Sequence, residues 1–239
     1  MRFGGFLKTS LIDYPGKISA VAFFKGCNYR CPYCHNKDLV FGPGPISPES
    51  SDDSTVDESF VFSFLEKRKP YIDGVVLTGG EPTLTRSLLR ICQKIKEMGF
   101  LLKVDTNGSK PDILEQLLYN DLVDFIAMDF KTSLDRYQRY ISKKFDPDAL
   151  TQSIQMIMDS SVSYEFRTTC AYPIVDTSAI HNMLPYIEGA RRFVLQQFVY
   201  SSTILNPDFF TDKKNSDIED IKKYQELILP WVKECIIRT

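Results

Sequence analysis

Gly26-Cys27-Asn28-Tyr29-Arg30-Cys31-Pro32-Tyr33-Cys34-His35-Asn36 places three of the chain's six cysteines within eight residues, in the spacing Cys-x3-Cys-x2-Cys. An apolar run, Ile18 to Phe24, precedes it and reads as a buried strand, so the cysteines fall in the loop that leaves a strand. Three thiolates on one short loop can converge on a single metal centre, yet they leave a fourth position without an obvious protein ligand. An iron–sulfur cluster is ordinarily held by four thiolates, so a set of three implies one iron open to another group.

Two plainer uses of the cysteines compete with a cluster. A closed zinc site needs four ligands, usually in two well-spaced pairs. The remaining cysteines, Cys92, Cys170 and Cys235, are scattered singly, and His35 directly follows Cys34, an awkward place from which to join the same tetrahedron. A disulfide with one spare thiol is disfavoured without a secretory signal. The scattered cysteines read as core or surface thiols, with Cys170 placed to reach a pocket at its strand's end. His181 falls in an expected helix, where a lone histidine is more often structural than catalytic, and His35 follows the cysteine loop.

The cysteine spacing, with the aromatic Tyr33 just before the third cysteine, resembles the signature of the radical S-adenosylmethionine (SAM) enzymes. That resemblance implies that Cys27, Cys31 and Cys34 hold one [4Fe-4S] cluster per chain. It implies also that the amino and carboxylate groups of SAM chelate the fourth iron, with Tyr33 lining the cofactor site.

Upstream, Lys8-Thr9-Ser10-Leu11-Ile12-Asp13-Tyr14-Pro15-Gly16-Lys17 carries turn chemistry at Tyr-Pro-Gly and reads as a loop entering the first strand. Together with Cys34-His35-Asn36 it resembles the start of glycyl-radical-enzyme activating proteins, which commonly have Asp-Gly-Pro-Gly where this chain has Asp13-Tyr14-Pro15-Gly16. Its wording is most similar to activating proteins of anaerobic ribonucleoside-triphosphate reductase. The resemblance implies a glycyl-radical enzyme of that type as partner, and an electron donor such as flavodoxin or ferredoxin.

The chain has 239 residues and a mass of 27.4 kDa, which suits one large α/β domain. The domain expected is residues 1–239, with a core at about 17–200 and a helical C-terminal extension at about 206–239. A net charge of -2 gives no broad attraction to nucleic acid or membrane phosphate. No stretch approaches the roughly 20 apolar residues of a membrane span, and Met1 to Ser10 lacks a secretory apolar core. A cytoplasmic protein is expected, with neither membrane nor nucleic acid as partner.

Phe41 to Ser59, rich in Gly, Pro, Ser and Asp, reads as a long exposed loop. No cysteine lies between Cys34 and Cys92, so no second cluster is expected. Beyond the loop, apolar runs at Gly74–Leu77, Leu101–Asp105, Val123–Phe130, Tyr164–Cys170 and Phe193–Val199 alternate with helical patterns. The helices are expected at Val56–Lys69, Leu84–Met98, Pro111–Leu118, within Leu134–Asp159, and at Thr177–Ile187 and Ser216–Ile228. This alternation predicts a parallel sheet of βαβ units. It does not separate an open sheet from a barrel; the family resemblance implies a partial (β/α)6 barrel.

In parallel α/β folds chemistry sits where strands end, and polar motifs follow the strands here. Gly79-Gly80-Glu81-Pro82 allows close backbone approach and resembles the family motif that receives SAM's amino group. Asp105-Thr106-Asn107-Gly108 could be a simple Asn-Gly turn, and resembles an activase motif near SAM's methionine end. Asp129 and Lys131, two apart on a strand, share a face; Asp-x-Lys here resembles activase residues that contact ribose and carboxylate.

Arg167 has a guanidinium fork suited to a carboxylate, the alternative being a surface pair with Glu165. Gln196 or Gln197 faces inward on the sixth strand, and Gln196 is taken as the cofactor-side residue. Asp105 and Asp129 could together hold a monovalent cation.

The function expected is reductive cleavage of SAM to a 5′-deoxyadenosyl radical that installs a glycyl radical on a partner. Two alternatives stay open: a radical SAM enzyme acting on a small molecule, peptide or RNA, similar to deazapurine-forming members, and a non-enzymatic metal-binding module. On the cluster reading, Cys31→Ala should abolish iron–sulfur assembly and SAM cleavage while Cys92→Ala preserves both. Anaerobic iron and sulfide analysis with a 5′-deoxyadenosine assay checks this, and SAM cleavage by the Cys31→Ala protein would overturn the ligand assignment.

Overall fold

The computed structural model describes residues 1–41, 55–212 and 214–239. Its chain divides into two compact units. The first comprises residues 1–27, 38–106 and 112–126, the second residues 28–37, 107–111 and 127–239.

The first unit holds β1 (Arg2–Phe3), β2 (Gly5–Ser10), β3 (Ser19–Phe24), nearly all of α1 (Lys37–Val40), β4 (Val56–Asp57), α2 (Glu58–Arg68), β5 (Gly74–Gly79), α3 (Leu88–Glu97), β6 (Leu101–Thr106) and most of α4 (Pro111–Tyr119). Its main sheet has the order β2-β3-β5-β6. β3 pairs in parallel with β5, Ser19 opposite Gly74. β5 pairs in parallel with β6, Gly74 opposite Leu101.

Burial explains why these segments are strands. Val75, Val76 and Leu77 are each wholly buried, as expected of a strand covered on both faces. Each such side chain contributes about 1.5–3 kcal/mol relative to exposure. On α3, Leu88, Ile91, Cys92 and Ile95 form the buried stripe, the spacing of one helix face. Asp124 joins α3 to the sheet by accepting from Lys96 Nζ at 2.6 Å and from the Leu102 amide at 2.7 Å.

The chain passes from the first unit to the second within β7 (Phe125–Asp129). The second unit continues with α5 (Leu134–Tyr140), α6 (Pro147–Asp159), β8 (Ser163–Cys170), α7 (Thr177–Ile187), β9 (Phe193–Gln197), α8 (Ile218–Ile228) and β10 (Cys235–Arg238). β8, β9 and β10 are consecutive and parallel, Phe193 lying opposite both Phe166 and Cys235. Aspartates start three helices: Asp146 accepts from the Asp148 and Ala149 amides of α6, Asp176 from Ala179 of α7, and Asp217 from Glu219 of α8, each satisfying helix-end donors.

The α/β class and the mainly parallel sheet are as the alternation predicts, and the expected strands appear with ends shifted by a few residues. Four local expectations differ. Lys8 to Ser10 belongs to β2, antiparallel to β3. As an edge strand with Leu7, Lys8 and Thr9 exposed, it carries no alternating apolar signal.

The expected helix from Leu84 instead begins at Leu88, because Glu81 and Pro82 close a separate 3-10 turn, Pro82–Leu84. The C-terminal segment is helical only in part, since Cys235–Arg238 is strand β10; four residues are too few for periodicity to reveal. Of the expected loop 41–59, Val56–Asp57 is a strand against Arg2–Phe3 and α2 begins at Glu58, while residues 42–54 lie outside the described residues.

Among the described residues no helix is long and apolar enough to cross a membrane. Glu165 of β8, 1% exposed, is held bidentately by Arg238 of β10 at 2.8 and 2.7 Å. Removing one partner of such a pair strands a buried charge, so Arg238→Ala should destabilise the fold by about 3 kcal/mol. Denaturant titration of Arg238→Ala and of Arg238→Ala/Glu165→Leu checks this, the double variant recovering much of the loss; a single variant as stable as the parent would refute it.

Candidate active site

In the first unit two strand ends, those of β5 and β6, converge on one carboxylate. Glu81 is 1% exposed, and its Oε1 accepts from the Thr83 hydroxyl at 2.6 Å, the Thr106 hydroxyl at 2.8 Å and the Thr83 amide at 3.1 Å. The backbone of the same turn is tied to the segment entering the cysteine loop. Gly80 N donates to Phe24 O and Glu81 N to Gly26 O, both at 2.8 Å. On the other side Gly26 N donates to Leu39 O at 2.7 Å and Cys27 N to Val40 O at 2.9 Å.

These bonds explain the two glycines. A Cβ on Gly80 would lie 2.1 Å from the Gly26 carbonyl oxygen, and Gly79 has φ +115° with Phe24 N 2.5 Å from a would-be Cβ. In this unit both glycines are required by the close approach of the protein's own backbone. Asp105 alternates with Thr106 along β6 and so faces the other way, bonded to Lys103.

In the second unit the cysteine loop is anchored at both ends. Asn28 Nδ2 donates to Ser109 Oγ at 2.8 Å, Asn107 Nδ2 donates to Asn28 Oδ1 at 2.9 Å, and Ser109 N donates to Asn107 Oδ1 at 3.0 Å. Arg30 N reaches Ile141 O, and Cys34 N closes a turn on Cys31 O at 3.0 Å. Leu205 and Asn206 donate their amides to the carbonyls of Cys34 and Pro32. Tyr33 is buried edge-on against Phe198, at 6.5 Å between ring centroids.

Asp129 lies between two cations. Lys131 Nζ and Arg167 Nε each reach it at 2.8 Å, on separate oxygens. Burial pushes the Asp129 carboxyl up, but Arg167 and Lys131 outweigh it and bring the pKa down to about 2. Burial likewise works against the Lys131 ammonium, and Asp129 more than offsets it, holding the pKa above the usual lysine range. The alternative pairing of Arg167 with Glu165 is excluded, since Glu165 belongs to Arg238. In the first unit Asp105 is engaged by Lys103, and in the second Asp129 by Lys131 and Arg167. On β9 Gln197 donates to Ser216 O at 2.8 Å, which leaves Gln196 on the opposite face.

The thiols fall into two groups. Cys92, Cys170 and Cys235 are buried, and burial pushes the pKa of each up to about 12; they are neutral packing groups, and Cys170 turns its thiol to Thr168 O rather than outward. Cys27 and Cys34 are partly accessible and Cys31 is buried, all three free of disulfides. Thiolates are the ligands iron–sulfur clusters take. The Tyr33 hydroxyl is buried near Cys31, and burial pushes its pKa well above the usual tyrosine value. The chemistry of this donor set suits a cluster, although among the described residues no three such side chains stand together as a metal site.

Sequence reasoning missed Asn28, Thr83 and Ser109. Asn28 and Ser109 flank named motifs, but no spacing rule marks them. Thr83 could have been found as the third residue of Glu-Pro-Thr, where an acidic cap receives a following amide.

Residues 21–175 match the family model of the Radical SAM superfamily. A Methanocaldococcus jannaschii protein with the provisional name glycyl-radical enzyme activating enzyme is 35% identical over 200 residues, 81% of this chain and 78% of that one. A pyruvate formate-lyase-activating enzyme of Clostridium pasteurianum is 34% identical over 129 residues, 51% of this chain and 48% of that one. The solved structure of Streptococcus suis SuiB bound to S-adenosylmethionine superposes with TM-score 0.63 at 13% identity over 88% of this chain, which spans 48% of the SuiB chain; that likeness is one of fold.

The chain belongs to the radical SAM superfamily and is an enzyme. Membership implies a [4Fe-4S] cluster and SAM as cofactors.

The Asp129 arrangement sets a pH signature. A carboxyl whose folded pKa is depressed contributes stability that is fully present above its unfolded value near 3.9 and is lost as pH falls through the folded value near 2. The stability difference between the parent and Asp129→Asn should be constant above about pH 5 and shrink by about 2 kcal/mol toward pH 2. Urea melts across that range measure it; a pH-independent difference would overturn it.

Proposed function

We propose that this enzyme installs a glycyl radical on a partner polypeptide resembling anaerobic ribonucleotide reductase. The reading is carried by the Cys27-x3-Cys31-x2-Cys34 loop in a chain that shares 35% identity, over 81% of its length, with a relative named as an activating enzyme. Cys27, Cys31 and Cys34 are the residues that would hold one [4Fe-4S] cluster, leaving one iron to SAM.

When bound, cluster and SAM supply one-electron cleavage of the sulfonium and, from it, a 5′-deoxyadenosyl radical able to take hydrogen from a C–H bond. The chain's own residues bind and orient. Gly79, Gly80 and Glu81 present backbone toward SAM's amino group; Arg167 and Lys131 bring positive charge toward a carboxylate; Asp129 accepts from a ribose hydroxyl.

Asp105, Asn107, Gln196 and Tyr33 are assigned the remaining contacts, where exclusion of water protects a reactive species, and Thr106 acts through the Glu81 carboxylate it holds. The buried ion pairs around Asp129 favour such a role, because they hold both cations in place before a ligand arrives. An electron donor such as flavodoxin or ferredoxin supplies the reducing equivalent.

Anaerobic reconstitution with iron and sulfide, reduction, and addition of SAM should yield 5′-deoxyadenosine, and a glycyl radical signal should arise by electron paramagnetic resonance on an added anaerobic ribonucleotide reductase. Formation of 5′-deoxyadenosine with no radical on any candidate glycyl-radical enzyme would transfer the reading to a small-molecule or peptide substrate. A well-formed cluster that never cleaves SAM would defeat it entirely.

A further inference from the structure

We propose that Thr83 is a positioning residue for Cys27, acting through the buried carboxylate of Glu81; its importance to the reaction rests on Cys27 being a cluster ligand. Thr83 touches none of the cysteines in sequence, yet the hydrogen bonds form a continuous path. The Thr83 hydroxyl, at 2.6 Å, makes the shortest of the three bonds to Glu81 Oε1. Glu81 is 1% exposed, so water cannot replace a lost donor and the carboxylate re-seats on the donors that remain.

Movement of Glu81 is movement of Gly26. The Glu81 amide donates to Gly26 O at 2.8 Å, and the missing Cβ of Gly80 lets that carbonyl come within 2.1 Å of where a Cβ would stand. Gly26 itself has φ +93°, a left-handed conformation that glycine adopts readily. Cys27 is the next residue, with its amide on Val40 O. The backbone entering Cys27 is therefore held from one side by Leu39 and Val40 and from the other by the Glu81 turn, which the Thr83 and Thr106 hydroxyls pin.

The test uses the full chain without metal, under reducing conditions, with limiting iodoacetamide and site-resolved mass spectrometry, reading Cys27 alkylation against Cys34 in the same molecule. Thr83→Val should raise the Cys27:Cys34 ratio about tenfold, the effect of losing one bond to a charged acceptor. Thr83→Ser, which restores the hydroxyl, should return it to within about twofold of the parent, and iron bound after reconstitution should fall in Thr83→Val and recover in Thr83→Ser.

An unchanged ratio in Thr83→Val overturns the proposal, as does a Thr83→Ser protein that behaves like Thr83→Val, since packing rather than the hydroxyl would then be at work. Should Thr83→Val not fold, Thr106→Val removes the other hydroxyl and is read in the same way, an unchanged ratio again overturning the proposal. Failure of the cluster reading shows separately, as a parent chain that assembles no cluster whatever its labelling ratio.

Discussion

A carboxylate cut off from water has to be met by donors, and Glu81 meets this demand with two threonine hydroxyls and an amide drawn from the ends of β5 and β6. Because its own amide is spent on Gly26 and the preceding amide on Phe24, the end of β3 joins the same knot. Parallel strands bring their C-terminal ends to one edge, and this bonding fixes the loops there at the level of individual atoms. The first cysteine leaves the knot with its backbone already committed.

The second unit treats its charges differently. Glu165 and Arg167 lie two apart on β8, the arrangement of a local pair, but each takes a partner elsewhere: Glu165 binds Arg238, and Arg167 binds Asp129. The first pairing closes the sheet onto its last strand and serves stability. The second assembles a carboxylate and two cations at a strand end, where opposing charges outweigh burial and keep all three ionised. Side chains held this way have little orientational freedom left to lose when a ligand binds.

The cysteines show how environment divides one residue type between two tasks. Cys92 sits on the apolar stripe of α3 and behaves as a small hydrophobic group, its proton held by burial. Cys27, Cys31 and Cys34 occupy a loop whose backbone bonds to Val40, Ile141 and Leu205 and whose Asn28 side chain bonds to Ser109. Each of these bonds is made within one unit.

Much of this was legible in the order of residues. The Cys-x3-Cys-x2-Cys spacing, the Asp129–Lys131 pair on one strand face and the alternation of apolar runs with helical patterns all arise within a single element or loop, where backbone geometry converts spacing directly into direction. The edge strands β2 and β10 were not legible, because one is exposed and the other spans four residues, and only pairing with a neighbour makes them strands. Nor were the Arg238–Glu165 bond, formed across 73 residues of sequence, the clasp of Asn28 on Asn107, or the hold of Thr83 on Glu81. The sequence by itself determined which chemistry this chain carries and the class of fold that carries it; tertiary structure decided which polar groups meet, since a hydrogen bond or ion pair between elements depends on register and packing that no local spacing encodes.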